Sequence, residues 1–313
     1  MKSVFEKLLK HCVEIYAEKT GRNGMPYILH PLAVMSKVES LPEKIVALVH
    51  DYGEFRDIAK LEAIGVPAIL LDKIKLLAKN FPDDVLENDP CYRDYIWNLL
   101  ADSVCCKVKY ADLLVNDGYE DSPIGDGRRF TGQYPKAMNL LADAVEGKLY
   151  FKSKTLYFNV FSNFYPIELE IDGAHWKSAE HYYQAAKFSR ELGVCSNADV
   201  YTAICNAETA RQAKEIADAN FSEDNRRQWS QALRRYVATA RMLNAKYAAG
   251  TFMRELLYKT GDLILIHESK DDLFWGQNRA GEGHNVLGKA LMQMRNSGSD
   301  CSVIEMIANA GEK

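Results

Sequence analysis

Between Glu146 and Lys148 the chain changes its pattern. Upstream, apolar residues recur at helical spacing, as Val4, Leu8, Leu9, Cys12 and Ile15 do, and one helical segment follows another. Downstream, apolar and aromatic residues begin to alternate, as in Leu156, Phe158 and Val160. One core does not readily serve both textures, so the chain is expected to fold as two domains with the seam near Gly147. The 313 residues leave about 150 on each side, an ordinary size for an independent core. The expected division is 1–147, 148–297 and a short tail, 298–313. The fold class expected is an all-α domain followed by a mostly helical α+β domain with a small sheet.

In the first domain, Pro31 and Pro42 sit where first-turn prolines start helices, ahead of Leu32–Val38 and Ile45–Asp51. Tyr92–Leu100, Val108–Val115 and Tyr134–Val145 are further helices, and 116–132, rich in Asp and Gly, is a loop. No strand is expected there. In the second domain, Leu149–Tyr165 and Ile167–Ile171 read as strands, the latter ending at the turn signal Asp172-Gly173. Helices are expected over Ala179–Phe188, Ala207–Ala219, Asn225–Asn244, Thr251–Thr260 and Asn285–Arg295, with one more strand at Leu263–His267. The tail carries Val303, Ile304, Met306 and Ile307 and is expected to pack as a short helix.

Several classes are excluded or disfavoured by composition. Apolar residues make up 47% and charged residues 26%, which rules out a mostly disordered chain. No apolar run approaches the roughly 20 residues of a membrane helix, and charge returns too early after Met1 for a signal peptide. A net charge of −4 gives no global basic footprint for nucleic acid. The seven cysteines are irregularly spaced without a Cys-x-x-Cys pair, as expected for reduced thiols in a cytoplasmic protein.

Two polar residues, His50 and Asp51, interrupt the apolar run Ile45–Glu54, which is read as one helix. A buried carboxylate must be paired, hydrogen-bonded or bound to metal. Glu54 lies on the same side of that helix, Asp112 sits between the apolar Val108 and Val115, and His30 precedes Pro31 at a helix start. A lone His–Asp pair is more often a structural hydrogen bond. Two histidines and two aspartates in such contexts favour a mixed nitrogen and oxygen site for a divalent metal, manganese first, with iron, zinc or magnesium as other fits. Such a metal would supply an activated water.

The ordered set Gly24-Met25-Pro26-Tyr27-Ile28-Leu29-His30-Pro31, His50-Asp51 and Lys109-Tyr110-Ala111-Asp112-Leu113-Leu114-Val115-Asn116 resembles the HD phosphohydrolases, in particular the (p)ppGpp-hydrolase branch, over roughly 5–147. That resemblance implies His30, His50, Asp51 and Asp112 as metal ligands. It implies Glu54 as the residue acting on the attacking water or the phosphate, and Asn116 as a substrate contact. Two positions depart from the branch. Phe55 replaces the acid expected after Glu54, and Gly21 replaces an expected arginine, with Arg22 next to it as a candidate substrate contact. Both positions bear on the alarmone, so a related nucleotide or sugar phosphate is the implied alternative to (p)ppGpp.

The second domain has its own constellation. Read as a helix, Trp176–Phe188 places Trp176, Glu180, Tyr183, Gln184 and Lys187 on one face. A carboxylate among aromatics is a candidate general acid or base, although a surface Glu180–Lys187 or Glu180–Gln184 interaction is the commoner arrangement. Further on, Ile264–Gly276 ends a strand in acids and aromatics, including Glu268, Asp272 and Trp275. Gly276, Gly281 and Gly283 then lead to Asn285 at a helix start. Helix starts bind phosphate, but ordinary turn chemistry is the better reading of these glycines on their own. The basic run Arg226-Arg227, Arg234-Arg235 and Arg241 reads as a solvated face, with one or two arginines left over for phosphate.

Phe161–Pro166, Ile171-Asp172-Gly173, Trp176, Ser178–Ala185, Lys187-Phe188, Thr260-Gly261-Asp262, Glu268, Asp272, Phe274-Trp275-Gly276 and Gly283–Lys289 together resemble the NADAR (YbiA-like) family over about 150–297. The resemblance implies hydrolysis of N-glycosides of ribosyl or ADP-ribosyl compounds without a cofactor. The implied substrate types are phosphorylated riboflavin precursors and ADP-ribose attached to guanine bases. Glu180 and Asp272 are the expected catalytic carboxylates, with their individual jobs left open. Trp275 and Tyr183 are expected to stack on a base, Lys187 and Asn163 to hold a ribose or phosphate, and Trp176 and Glu268 to line the site.

The whole chain is therefore expected to be a bifunctional hydrolase of nucleotide metabolism, taking a small nucleotide or ADP-ribosyl substrate and no membrane. The rival expectations are an impaired first domain that senses a nucleotide and regulates the second, and an enzyme that strips ADP-ribose from DNA or RNA.

Overall fold

The computed structural model describes residues 1–21, 24–82, 85–118, 134–231 and 233–311; most of the expected loop 116–132, and Arg22, lie outside the described residues. Backbone contacts divide the chain into two units. One comprises Met1–Lys148 with Lys259–Leu263, and the other Leu149–Tyr258 with Ile264–Lys313.

The first unit contains α1 (Lys2–Tyr16), α2 (Leu29–Ser36), α3 (Leu41–Leu48), α4 (Tyr52–Phe55), α5 (Ala59–Ile64), α6 (Ala68–Leu77), α7 (Pro90–Leu99), α8 (Ser103–Gly118) and α9 (Pro135–Val145). The face of α1 that is buried carries Leu8, Cys12 and Tyr16, four residues apart each time. Ser40 starts α3 with a capping box: its side chain accepts from Glu43 N–H while Glu43 Oε2 accepts from Ser40 N–H at 2.8 Å. Glu43 Oε1 also takes Lys107 from α8 at 2.7 Å, which ties α3 to α8. The helices α2, α3 and α8 pack on one another around Val34, Ile45, Val46 and Val108.

One expected helix is corrected. Ile45–Asp51 is not continuous: α3 stops at Leu48, Val49 leaves the helical region (φ −129°, ψ 24°), and the chain restarts as α4 at Tyr52. His50 and Asp51 occupy that break. On a continuous helix neighbours point about 100° apart, whereas the break brings His50 Nε2 to 3.1 Å from Asp51 Oδ1.

The second unit begins with β1 (Lys148–Phe151), then β2 (Leu169–Ile171) and β3 (Ala174–Trp176). The helices α10 (Ala179–Ala186), α11 (Ala198–Asn206), α12 (Ala210–Ala219), α13 (Glu223–Gln231), α14 (Leu233–Lys246) and α15 (Phe252–Tyr258) follow. β4 (Ile264–His267), α16 (Val286–Ser297) and α17 (Val303–Gly311) complete it. The strands form two small sheets, β1 with β4 and antiparallel β2 with β3, in which Leu169 faces Trp176. The turn between β2 and β3 has positive φ at Asp172 and Gly173, as a tight hairpin requires.

The long strand expected over Leu149–Tyr165 is also corrected. Only β1 is extended; Asn159–Phe161 form a 3-10 turn, with Phe151, Phe158 and Phe161 meeting ring to ring. Alternating aromatics here reflect a loop folded over a core, not a pleat. The tail helix α17 buries Met306. All seven cysteines are free thiols, four of them buried. Among the described residues, no helix is long and apolar enough to cross a membrane.

Candidate functional sites

In the first unit, α2 supplies His30, the α3–α4 break supplies His50 and Asp51, and α8 supplies Asp112. His30 Nε2 and His50 Nε2 are 3.3 Å apart. Asp112 Oδ1 lies 3.2 Å from the first and 3.5 Å from the second. His30, His50 and Asp112 thus offer ligand atoms all within 4.8 Å of one another. Asp51 reaches both imidazoles, at 3.1 Å from His50 and 3.7 Å from His30.

The surrounding bonds orient these groups. His50 Nδ1 donates to Ala47 carbonyl oxygen at 2.7 Å, which turns Nε2 toward the cluster. Tyr27 Oη donates to Asp51 Oδ2 at 2.5 Å. Lys109 Nζ donates to Asp112 Oδ2 at 2.7 Å, and Asn116 Nδ2 to Asp112 Oδ1 at 2.9 Å. Burial opposes a charged His50, but Asp51 and Asp112 outweigh it and hold its proton affinity well above the ordinary imidazole value. The cluster favours positive charge at its centre, and its two imidazoles and carboxylates are a donor set suited to a divalent transition metal. Glu54 stands beside it on α4. Burial and the charge of Asp51 raise its carboxyl above the usual range, against Lys79, whose N–H bonds Oε1 at 3.3 Å.

In the second unit, α10 starts where Ser178 Oγ accepts from His181 N–H. His181 is structural: its Nδ1 meets Ser178 Oγ at 2.7 Å, its Nε2 meets Ala207 carbonyl at 3.2 Å, and burial lowers its proton affinity. The next backbone N–H back along the chain, that of Glu180, donates to Asn163 carbonyl at 2.9 Å. One turn further, Gln184 Nε2 donates to Glu180 Oε1, and Lys187 Nζ donates to Gln184 Oε1, both at 2.6 Å. Burial raises the Glu180 carboxyl above its ordinary value, only partly offset by Gln184 and the Lys187 charge. Burial also pushes Lys187 down to about 8, against the pull of Glu180.

The loop after β4 brings aromatics to this helix. Trp275 meets Tyr183 edge to face at 6.3 Å, and Tyr183 Oη accepts Trp229 Nε1–H at 3.1 Å. Burial pushes the Tyr183 hydroxyl up to about 12, with Glu180 and Asp272 raising it and Arg235 opposing them. Asp272 is exposed; its Oδ1 accepts Trp275 N–H at 3.2 Å, a turn-forming bond that positions the indole. Asn163 Oδ1 is buried without a hydrogen-bond partner among the described residues, as expected of a group awaiting a ligand.

A family profile for the NADAR domain matches residues 149–297. The N-glycosidase Npun_R5314 of Nostoc punctiforme is 34% identical over 150 residues, covering 47% of this chain and 90% of that protein. The chain belongs to the NADAR family. The N-glycosidase YbiA of Escherichia coli is 30% identical over 139 residues, 43% of this chain and 78% of that protein. The riboflavin biosynthesis protein VVA0006 of Vibrio vulnificus is 29% identical over 162 residues, 52% of this chain, and this chain spans 41% of its length.

Within the NADAR domain the structure gathers Glu180, Tyr183 and Gln184 on α10, with Lys187 at its C-cap, and sets Trp275 against Tyr183. Two other expected contacts have different immediate partners. Trp176 precedes the helix, in β3, and its ring packs on Tyr182 at 5.3 Å and Tyr201 at 6.1 Å with Nε1 donating to Ile171 carbonyl. It is core, because α10 begins only at Ala179 and Trp176 never joins its periodicity. Glu268 is held by Lys152 at 2.9 Å and Arg279 at 3.6 Å, and no bond among the described residues joins it to the Glu180 group. Sequence reasoning missed Trp229 as the partner of Tyr183. It also missed Lys246, fully buried, whose Nζ donates to Ser162 carbonyl at 2.7 Å. A lysine among Ala, Leu and Tyr on α14 was the available signal.

Proposed function

We propose that the NADAR domain hydrolyses an N-glycosidic bond between a ribosyl carbon and a nitrogen base. The observation that carries this reading is Glu180, a buried carboxyl kept protonated at higher pH than usual and aligned by Gln184. Two relatives named N-glycosidases support it. Glu180 donates its proton to the leaving nitrogen as the C–N bond breaks and the bonding pair goes to nitrogen. Water then adds to the ribosyl carbon and gives up a proton. Asp272 is the carboxylate suited to stabilising the cationic ribosyl centre and accepting that proton, since its Oδ2 makes no hydrogen bond to a described residue. Trp275 and Tyr183 flank the base, and Asn163 Oδ1 accepts from a ribose hydroxyl. The substrate classes are ribosylaminopyrimidine phosphates of the riboflavin type, in line with the name of the Vibrio relative, and ADP-ribosyl guanine as base or nucleic acid.

Mass-spectrometric profiling of the full chain against both classes tests this. Release of free base by the wild type, lost in Glu180→Gln, supports it. Equal release by both proteins overturns it.

A second reading concerns the first unit, and the convergence of His30, His50 and Asp112 within 4.8 Å favours it. It is an HD-type phosphohydrolase in which His30, His50, Asp51 and Asp112 would hold a divalent metal, manganese first. When bound, the metal would supply an activated water for attack at phosphorus. Glu54 would take a proton, and Asn116 and Lys109 fix the Asp112 carboxylate. A nucleotide or sugar phosphate is the substrate class. The two activities would then act on one ribosyl phosphate compound in sequence. Stoichiometric metal with phosphate release that His50→Ala abolishes supports this; metal with no turnover of any nucleotide favours a sensing role instead.

A further inference from the structure

The five arginines of α13 and α14 separate cleanly. Arg226 pairs with Asp218 at 3.3 Å and Arg227 with Asp224 at 2.7 Å. Arg241 pairs with Asp172 at 2.9 Å and Glu191 at 2.6 Å, and Arg234 donates to Gly193 carbonyl at 2.9 Å. Arg235 has no carboxylate partner among the described residues. Its guanidinium carbon lies 3.8 Å from the centroid of Phe274, 4.9 Å from Tyr236 and 6.0 Å from Trp275. Its guanidinium hydrogen bond among the described residues is Nη2 to Tyr236 Oη at 3.1 Å, and Nε is buried with no partner among them.

A half-buried guanidinium laid on aromatic rings is costly to keep without an anion, and stacking leaves its edge available for a planar, two-point contact. The same wall touches the site: Trp275 meets both Tyr183 and Arg235. The charges of Arg235, Glu180 and Asp272 also all reach the Tyr183 hydroxyl, Arg235 opposing the two carboxylates. Two carboxylates suit a developing ribosyl cation and repel a phosphate, so a phosphate-bearing substrate needs a cation at the opposite end of the aromatic wall.

We propose that Arg235 binds the phosphate of a ribosyl phosphate substrate at the glycosidase site, held ready by stacking on Phe274. The proposal deepens the N-glycosidase reading and rests on it. The phosphate is either a monoester or the diphosphate of an ADP-ribosyl group.

Calorimetry of the full chain with ribose, ribose 5-phosphate and ADP-ribose tests this, with EDTA present so that metal-bound phosphate does not contribute. The wild type should bind at least one phosphorylated probe tenfold or more tightly than ribose. Arg235→Gln should bring that preference within about twofold, and Arg235→Lys should keep part of it. The probe that loses more affinity identifies monoester or diphosphate. An undiminished preference in Arg235→Gln, or no preference in the wild type, overturns the proposal; if Arg235→Gln fails to fold, an undiminished preference in Arg235→Lys does so. The turnover assay is separate. Arg235-dependent binding without base release sinks the glycosidase reading alone, and base release with an Arg235-independent preference sinks the phosphate site alone.

Discussion

Gln184 Nε2 donates to Glu180 Oε1 across one turn of α10 at 2.6 Å. The bond favours the ionised carboxylate, while burial favours the protonated acid, and burial wins. The acid is thereby held in one orientation without losing its proton affinity.

Removing the amide should raise the Glu180 pKa further. A general acid works while protonated, so the rate falls as pH rises through its pKa. In Gln184→Leu the falling limb of the kcat profile should therefore move to higher pH. In Glu180→Gln the rate should drop by about a hundred- to ten-thousandfold. A limb that stays put in Gln184→Leu would reject this assignment of the acid.

Lys246 gives a pH dependence of stability. Burial brings it to about 7 in the folded chain, against 10.5 for a free lysine. Below about 7 both states carry the charge, and the folded state bears the full cost. Between about 7 and 10.5 the unfolded chain binds more protons, so the folded state gains stability as pH rises, by about 1.4 kcal/mol per pH unit. Thermal unfolding of wild type and Lys246→Met should show the wild type gaining on the variant across that window. Parallel curves would contradict the burial of a titrating amine.

Gly288 sits in the first turn of α16 against β4. A Cβ there would meet Leu265 carbonyl oxygen at 2.2 Å and Asn285 Oδ1 at 2.5 Å. Asn285 itself joins the strand, accepting His267 N–H at 3.0 Å and donating to Leu265 carbonyl at 2.8 Å. Gly288→Ala should lower stability by about 1–3 kcal/mol in denaturant unfolding. It should also weaken base release, because the loop carrying Asp272 and Trp275 leaves from β4. Full stability in this variant would show that the helix start yields.

For the first unit, Mn²⁺ at about a hundredfold above its Kd should stabilise the native chain by about 2.7 kcal/mol. The gain should vanish with EDTA and in both His50→Ala and Asp112→Asn, while base release by the second unit persists. Calorimetry and metal analysis together check it; a gain retained in both variants would place the metal elsewhere.

The sequence pattern made the change of texture and most helices readable, because the longer helices repeat their apolar face for at least two turns, which the four residues of α4 and the six of α5 cannot do. The α3–α4 break was invisible, since the residues around it are as apolar as a continuing helix would need, and the bend is stabilised by bonds from His50 and Val49 back to the preceding turn. The chemistry of His30, His50, Asp51 and Asp112 stood out because charge is costly on apolar faces. Trp176 misled because Ser178, not the tryptophan, starts α10. Arg235 could not be told from its four neighbours in sequence, because what separates it is a ring delivered from forty residues downstream.

Arg235 and Lys246 lie on the same helix, eleven residues apart, which is about three turns and about 16 Å. They therefore share a face of α14. One end lies on the aromatic wall, and the other clamps the Ser162 carbonyl, next door to the Asn163 carbonyl that holds Glu180. This helix is a gauge: its pitch fixes the spacing between the stacked cation and the loop that seats the acid. A single residue inserted between them would swing one end about 100° out of phase with the other, detuning reach while leaving every functional side chain in place.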